Sequence, residues 1–251
     1  MVLPPITKQQ QTILLLLYRF RFLNRIHIQT LLHHKTFNRI NVWLKDLTGK
    51  NYIAKIADIE SKINIIPSKY YLSVNGIRHL KTQPTSEIKY LSKLYRESKR
   101  SEAFINQCLF IADIYIYLSK KYTSDFSFYT QSDYSLHGLI KELFPLFVFR
   151  KRGNEPYFLV EIFREKPPKK AYIPRLEKYI QFATKGQWTM QELQPKILLI
   201  CPDSKLRKAI YRETKNLLID ENTDNLEVFI TTKDQIENKS IESEIWEKIE
   251  Q

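Results

Sequence analysis

Side chains of the types that recognise nucleic acid cluster around residue 40 of this chain. Asn38, Arg39 and Asn41 closely follow Thr36. An asparagine amide pairs with the edge of adenine and an arginine guanidinium with the edge of guanine, whereas a lysine positions a protein on phosphate. The sequence therefore predicts a DNA-binding surface formed by Lys35, Thr36, Asn38, Arg39, Asn41, Lys45, Lys50, Lys55, Lys62 and Lys69.

The excess of positive charge lies in the same part of the chain. Residues 1–100 contain 18 Lys and Arg against 5 Asp and Glu, whereas residues 101–251 contain 22 of each. The N-terminal part therefore carries the whole net charge of +13. Lysines and arginines release counterions when they neutralise phosphates, so this concentration favours a nucleic-acid partner. A solvated basic face without a partner is the alternative.

A helix-turn-helix pattern positions these side chains. Capping residues and apolar spacing predict three helices, at about residues 8–18, 25–32 and 37–47. The third helix carries the i, i+3, i+4, i+7 stripe of a buried face, formed by Ile40, Trp43, Leu44 and Leu47. The polar side chains around Asn38 lie on the opposite face, and Gly49 is predicted to cap the C-terminal end of this helix.

A β-wing is predicted after the third helix. Two strands are expected at about residues 52–56 and 69–72, and a fourth helix at 74–81. Three helices and two strands with a long tip are typical of a winged helix, whose third helix enters the major groove and whose wing contacts phosphate. Lys55, Lys62 and Lys69 would line the wing. This domain is predicted to span residues 1–82, and a winged helix used only for protein interaction is the alternative.

A second domain is predicted after a basic helical connector at residues 83–100. Residues 101–251 show, in order, a helix at 101–121, strands at about 126–129, 143–149 and 157–163, a helix starting at Pro174, a buried parallel strand at 196–201, a helix at 204–218, a strand at 226–231 and a helical tail from Thr232. This order predicts a mixed sheet. The expected fold class is α+β or α/β, with an N-terminal winged helix-turn-helix followed by a mixed-sheet, restriction-endonuclease-like domain.

Glu161 stands where a metal-dependent nuclease of this architecture holds its ion. Such a site needs an Asp on the first core strand and a Glu-x-Lys or Asp-x-Lys on the second. Here Leu146 stands in place of the Asp, and Phe163 stands in place of the Lys. We therefore predict an inactive domain without catalytic residues, metal or cofactor, in which Glu161 pairs on the strand surface with a nearby Lys or Arg.

Several other function classes have little support in the sequence. None of the five glycines forms a Gly-rich phosphate loop, which weighs against a nucleotide-dependent enzyme. Cys108 and Cys201 lie in apolar runs and are predicted to be buried and unpaired, which suits a reducing cytoplasm. The apolar run Ile13–Leu17 is too short to span a bilayer, so no membrane partner is expected.

Short motifs of this chain resemble the replication-relaxation family of plasmid and mobile-element proteins. They are the helix-turn-helix Leu31–Leu47 with Tyr52-Ile53, the segment Tyr71–Gly76, the Phe144-Pro145 strand, Glu161 and the helical segment Leu176–Tyr179. The segment Tyr71–Gly76 is similar to the family's Y-L-T-x-x-G signature, whereas the family usually carries acidic residues where Leu146 and Phe163 stand. The resemblance implies a DNA-binding role in the maintenance, replication or transfer of a plasmid or integrative element.

The expected function is sequence-specific binding of double-stranded DNA by a cytoplasmic protein, in replication, transfer or transcriptional control. Its C-terminal module would form a homodimer or recruit another mobile-element protein. One alternative is a metal-dependent DNA nuclease or nickase with a migrated site formed by Glu161, Lys178 and either Glu142 or Asp113. The other alternative is a winged-helix scaffold that binds only protein.

Overall fold

The chain folds into a mixed α and β structure with two compact units. The computed structural model describes residues 3–56, 67–84, 87–133, 143–165, 167–184, 194–221 and 226–250. The units comprise residues 1–121 and 122–251. The described residues contain nine α-helices and nine strands, and none of these helices is long and apolar enough to cross a membrane.

The first unit contains six helices and a small antiparallel sheet within its described residues. Its elements are α1 (Lys8–Phe20), β1 (Leu23–Asn24), α2 (Arg25–Leu31), α3 (Phe37–Gly49), β2 (Ile53–Ile56), β3 (Lys69–Leu72), α4 (Val74–Lys81), α5 (Ile88–Leu94), a 3-10 turn (Glu97–Lys99) and α6 (Glu102–Lys121). The sheet has the order β1-β3-β2, so β3 pairs with both other strands. The four helices and two strands predicted up to Lys81 are confirmed, whereas β1 was not predicted.

Side-chain caps begin the first two helices at the predicted residues. The Thr7 hydroxyl accepts a hydrogen bond from the Gln10 backbone at 3.3 Å, and the Gln10 side chain accepts one from the Thr7 backbone at 2.8 Å. Asn24 accepts a bond from the His27 backbone at 2.9 Å in the same way. These bonds satisfy backbone N–H groups that have no partner within the helix, and so they fix where α1 and α2 begin.

The turn that leaves α3 is held in place by α4. Gly49, predicted as the cap, is the last residue of the helix, and Asn51 makes the left-handed turn with a φ of 57°. The backbone N–H of Asn75 donates to the Asn51 carbonyl at 3.1 Å. At Gly76 the two segments touch, because a Cβ there would lie 2.2 Å from the carbonyl oxygen of Tyr52. A glycine is therefore needed at Gly76 by close backbone approach.

The long helix α6 belongs to the first unit and not, as predicted, to the second domain. The ring of Tyr115 lies 5.2 Å from that of Phe20 on α1, and Asp113 Oδ1 lies 2.8 Å from His27 Nε2 on α2. The boundary between the units therefore follows Lys121 instead of residue 100. Much of the circumference of α6 is apolar, so its sequence does not indicate which neighbours it packs against.

The predicted connector at residues 83–100 is also part of the first unit. It forms α5 and the 3-10 turn instead of one continuous helix. The Tyr90 ring meets the Tyr18 ring edge-on at 5.3 Å, and the buried Glu97 carboxylate binds Arg21 at 2.5 Å. These contacts place the segment in the core of the unit instead of in a linker.

The second unit is built on a six-stranded mixed sheet. Its elements are β4 (Ser127–Thr130), β5 (Phe147–Arg150), β6 (Phe158–Ile162), α7 (Lys169–Thr184), β7 (Lys196–Cys201), α8 (Ser204–Asp220), β8 (Val228–Thr232), α9 (Lys233–Asn238) and β9 (Glu247–Lys248). The strand order is β4-β5-β6-β7-β8-β9. The neighbours β6, β7 and β8 are parallel and the other pairs are antiparallel, which confirms the predicted mixed sheet.

Three predicted elements of the second unit differ from the structure. The strand predicted at about residues 143–149 begins only at Phe147. Helix α7 begins at Lys169, and Pro174 lies inside the helix instead of at its start. The helical tail predicted from Thr232 is a six-residue helix, after which the chain returns as β9 along β8. A two-residue edge strand is too short to show a period in the sequence, so the tail could not be distinguished from helix.

Helices α7 and α8 cover one face of the six-stranded sheet. The main cluster contains Val148, Leu159, Leu199, Cys201 and Ile230 from the strands, together with Tyr172, Leu176, Tyr179 and Ile210 from the helices. Glu161 follows Leu159 by two residues, so it lies on this covered face. Both cysteines are buried, as predicted, and burial raises the pKa of the Cys201 thiol to about 12.

Replacing Gly76 by alanine tests the close contact between α4 and the turn after α3. The added methyl group would meet the Tyr52 carbonyl oxygen at 2.2 Å, so the backbone has to move. We expect the free energy of unfolding to fall by about 1–3 kcal/mol, measured by urea unfolding. Gly49→Ala is the matched control, because its added methyl group would meet no atom within 4 Å apart from its chain neighbours and its own helix backbone, and the stability should rise by about 0.5–1 kcal/mol. Equal effects of the two substitutions would contradict this account.

Candidate functional site

The exposed face of α3 and the two residues just before the helix carry six of the ten side chains predicted to contact DNA. The helix buries Ile40, Leu44 and Leu47, which turns its other side to solvent. The exposed side chains at its start and along it include Lys35, Thr36, Asn38, Arg39, Asn41, Val42 and Lys45. Asn38, Val42 and Lys45 follow one another at intervals of four and three residues, so they form the centre of this face. We call these three residues and Asn41 the α3 face.

Arg39 lies beside the α3 face and is oriented by an aromatic ring. Its guanidinium carbon is 5.9 Å from the centre of the Trp43 ring, and the His34 ring meets the same indole edge-on at 5.2 Å. Trp43 was predicted to belong to the buried stripe, but it is only half-buried. An indole ring attracts a guanidinium and limits its orientations, while Arg39 itself stays exposed.

The N-terminal end of α3 is electropositive. Thr36 occupies the N-cap position, but its side chain makes no capping hydrogen bond to the helix. The first turn contains no acidic residue, and Lys35 is exposed just before it. Because a helix carries a partial positive charge at its N-terminus, this end of α3 favours a phosphate group.

Lys50 is used partly within the fold. Its Nζ atom donates to Asp46 Oδ2 at 2.8 Å and to the Pro5 carbonyl at 2.9 Å. Asp46 also accepts a hydrogen bond from the Gln10 side chain at 2.7 Å, and the bonds from Lys50 and Gln10 lower the pKa of Asp46. Asp46 is the single acidic residue in the sequence of α3, and these contacts neutralise it.

The lysines predicted to line the wing have different environments. Lys55 on β2 is exposed. Lys69 pairs with Ile56, the residue after Lys55, so the two lysines lie on opposite sides of the strand pair. Lys69 is 7% exposed and its Nζ lies 3.8 Å from Glu102. Contrary to the prediction, it is therefore not accessible to phosphate. Lys62 lies outside the described residues.

Two features of this surface were not predicted. At the start of α2, the guanidinium carbon of Arg25 lies 5.2 Å above the ring of Phe37, which begins α3. Val42 is an exposed apolar residue within the α3 face. The sequence could have indicated the exposure of Val42, because this apolar residue is out of phase with the buried stripe. The contact of Arg25 depends on how two helices cross, which the residue pattern does not encode.

Glu161 is the centre of a buried polar cluster in the second unit. Its carboxylate Oε1 accepts hydrogen bonds from Arg175 at 2.7 Å and from the Tyr179 hydroxyl at 2.6 Å. Both donors project from α7, four residues apart. Arg175 also donates to the Phe144 carbonyl at 3.0 Å. Burial raises the pKa of Glu161, whereas the charge of Arg175 and the hydrogen bond from Tyr179 act to lower it.

The surroundings of Glu161 do not fit a divalent metal ion. The backbone N–H of Leu146 donates to the Val160 carbonyl at 3.0 Å, so Leu146, just before β5, lies next to Glu161. Leu146 and Phe163 thus place apolar side chains where a metal site needs polar ones, and a guanidinium stands beside the carboxylate. Within the described residues, no group of three or more His, Cys, Asp and Glu is placed to hold a metal ion.

The other residues of the alternative nuclease site lie elsewhere or outside the described residues. Asp113 is on α6 in the first unit, where it contacts His27. Lys178 is exposed on α7, and Glu142 lies outside the described residues. Glu161 is buried instead of lying on the strand surface as predicted, although its ionic partner is an arginine as expected.

No protein-family model matches this chain, and comparisons with curated proteins and with solved structures find no significant match. The resemblance to the replication-relaxation family therefore rests on the short sequence motifs alone.

Proposed function

We propose that the first unit is a winged helix that binds duplex DNA in a sequence-specific way through the α3 face. The order α1, β1, α2, α3, β2, β3 and the sheet order β1-β3-β2 support this interpretation. The observation that carries the proposal is the accessibility of Asn38, Arg39, Asn41 and Lys45 opposite a fully buried stripe. An exposed helix whose outer face is mainly polar suits the major groove, which admits one α-helix.

The distribution of charge supports a phosphate-rich partner. The net charge of +13 lies within residues 1–100. Lys35, Lys45 and Lys55 are exposed there, and the N-terminal end of α3 adds a partial positive charge. These groups would supply the affinity that is independent of sequence, because neutralised phosphates release counterions.

Sequence specificity in this proposal comes from the amide and guanidinium groups. Asn38 and Asn41 each offer a donor and an acceptor, which complement N7 and the amino group of adenine. Arg39 offers the paired donors that complement O6 and N7 of guanine. Lysines alone would bind any duplex, so the amides on the α3 face favour a protein that selects its site.

We infer that the second unit has a restriction-endonuclease-like arrangement that serves assembly or partner recruitment instead of hydrolysis. The antiparallel strands β4, β5 and β6, followed by α7 and the parallel strand β7, support the likeness of fold. The pairing of Glu161 with Arg175 argues against a catalytic metal. With the motif resemblance, we propose a DNA-binding protein of a plasmid or mobile element, acting in replication, transfer or transcriptional control.

Exchanging exposed basic residues separates base recognition from phosphate binding. A duplex site is first selected from a randomised pool, and affinities are then measured by fluorescence anisotropy at several salt concentrations. Arg39→Ala should weaken binding to the selected site by about 1–3 kcal/mol and relax the preference at one base pair. Lys55→Ala should weaken binding to all duplexes alike and reduce the salt slope by about 1.

Lys69→Met is the matched control for Lys55→Ala, because Lys69 is buried on the same strand pair. Its duplex affinity should equal that of the wild type. If the protein binds no duplex at low salt, the proposed function is wrong, and identical behaviour of the Arg39 and Lys55 variants would contradict the groove assignment.

Removing either member of the Glu161–Arg175 pair should have unequal effects on stability. Glu161 is 3% exposed, whereas the Arg175 side chain is 41% exposed. Arg175→Met therefore leaves a carboxylate that has lost its ionic partner and is shielded from water, whereas Glu161→Gln leaves a guanidinium that still reaches solvent. We expect Arg175→Met to cost about 3 kcal/mol in urea unfolding and Glu161→Gln clearly less.

Urea unfolding with magnesium, together with a cleavage assay, tests the alternative of a nuclease. Addition of magnesium should leave the unfolding midpoint of the wild type unchanged, because Arg175 already neutralises Glu161. Magnesium-dependent cleavage of duplex DNA that disappears in Glu161→Ala would overturn our interpretation of the second unit.

A further inference from the structure

Val42 has a position on the α3 face that packing within the fold does not explain. It is 58% exposed, and it lies four residues after Asn38 and three before Lys45. A β-branched residue loses side-chain freedom in a helix, so valine at an exposed helical position is less favourable than alanine. Its methyl groups are accessible to a partner that binds the α3 face.

The groups around Val42 restrict what that contact can be. The α3 face offers the amides of Asn38 and Asn41, the ammonium of Lys45 and the two methyl groups of Val42. The acidic residue of the helix, Asp46, is neutralised by Lys50. The face is therefore neutral to basic, with one small apolar group between polar ones.

An A·T base pair presents the matching pattern in the major groove. Adenine shows N7 as an acceptor and an amino donor, and thymine shows O4 and its C5-methyl group. Side chains four residues apart on a helix are separated by about 5–6 Å at Cβ, and neighbouring base pairs are about 3.4 Å apart along the duplex. An asparagine and Val42 on this face can thus reach the same base pair or two adjacent pairs.

We propose that Val42 contacts the C5-methyl group of a thymine and so determines preference for an A·T pair within the bound site. This inference rests on the proposed DNA binding through the α3 face and adds the identity of one recognised chemical group. Apolar contact with the thymine methyl group is one of the few interactions in the major groove that needs no hydrogen-bonding side chain.

Replacing thymine by deoxyuridine tests the contact, because it deletes the methyl group and leaves every hydrogen bond of the pair intact. Each thymine of the selected site is replaced in turn, and the dissociation constant is measured for each duplex. One replacement should weaken wild-type binding about fourfold, as expected for one buried methyl group. Val42→Ala should bind the original site more weakly and show no further loss with the same deoxyuridine.

Two controls separate this contact from general effects. Ile88→Ala removes methyl groups from a residue that is 60% exposed on α5, and it should keep the full sensitivity to deoxyuridine. The salt slope of Val42→Ala should equal that of the wild type, because valine neutralises no phosphate.

The outcomes distinguish the two proposals. Absence of duplex binding would refute the proposed function. Duplex binding that no deoxyuridine replacement weakens would refute the role of Val42 and leave the proposed function standing. Sensitivity to deoxyuridine that persists unchanged in Val42→Ala would assign the methyl contact to another residue and equally refute this inference.

Discussion

Burial of one stripe of α3 is the constraint on which the rest of the first unit depends. Ile40, Leu44 and Leu47 are held in the core, so the rotation of the helix about its axis is fixed. A residue that follows the stripe out of phase has to face solvent. The α3 face is therefore a consequence of core packing. Its polar groups are exposed to solvent without any additional contact that holds them there.

Ion pairing divides the basic residues of the first unit into two groups. Arg21, Lys50 and Lys69 contact carboxylates and stabilise the fold. Other cations, such as those at residues 35, 45 and 55, are exposed and lie on or beside α3 and β2. Net charge along the sequence does not separate the two groups, because burial and ion pairing depend on which neighbours the fold supplies. The surface available to phosphate is accordingly smaller than the count of basic residues indicates.

The elements that were predictable from the sequence are those determined by capping residues or by their own apolar pattern. The capping box at Thr7 and the cap at Asn24 fixed two helix starts, and the period of the buried stripe predicted α3. The continuous apolar run of β7 predicted a buried parallel strand, with its ends at the predicted residues. In each of these cases the determining interaction joins residues close in sequence or belongs to a single element.

Errors arose where the determining interaction joins distant residues. The assignment of α6 depends on contacts with α1 and α2, and an apolar helix accepts many neighbours. The burial of Lys69 depends on pairing across β2 and β3, which a single strand does not show. At the candidate site, residue types on the α3 face were predicted from helical period, whereas the donors that enclose Glu161 come from a separate helix.

The Glu161 cluster also limits how the second unit can change during evolution. A carboxylate introduced at position 146 alone would find the positive charge of Arg175 already engaged, and a lysine at position 163 would place a second cation nearby. Each single step therefore adds electrostatic cost without creating an ion-binding pocket. A metal site at this sheet would need coordinated changes just before β5, after β6 and on α7, so the present arrangement resists its stepwise formation.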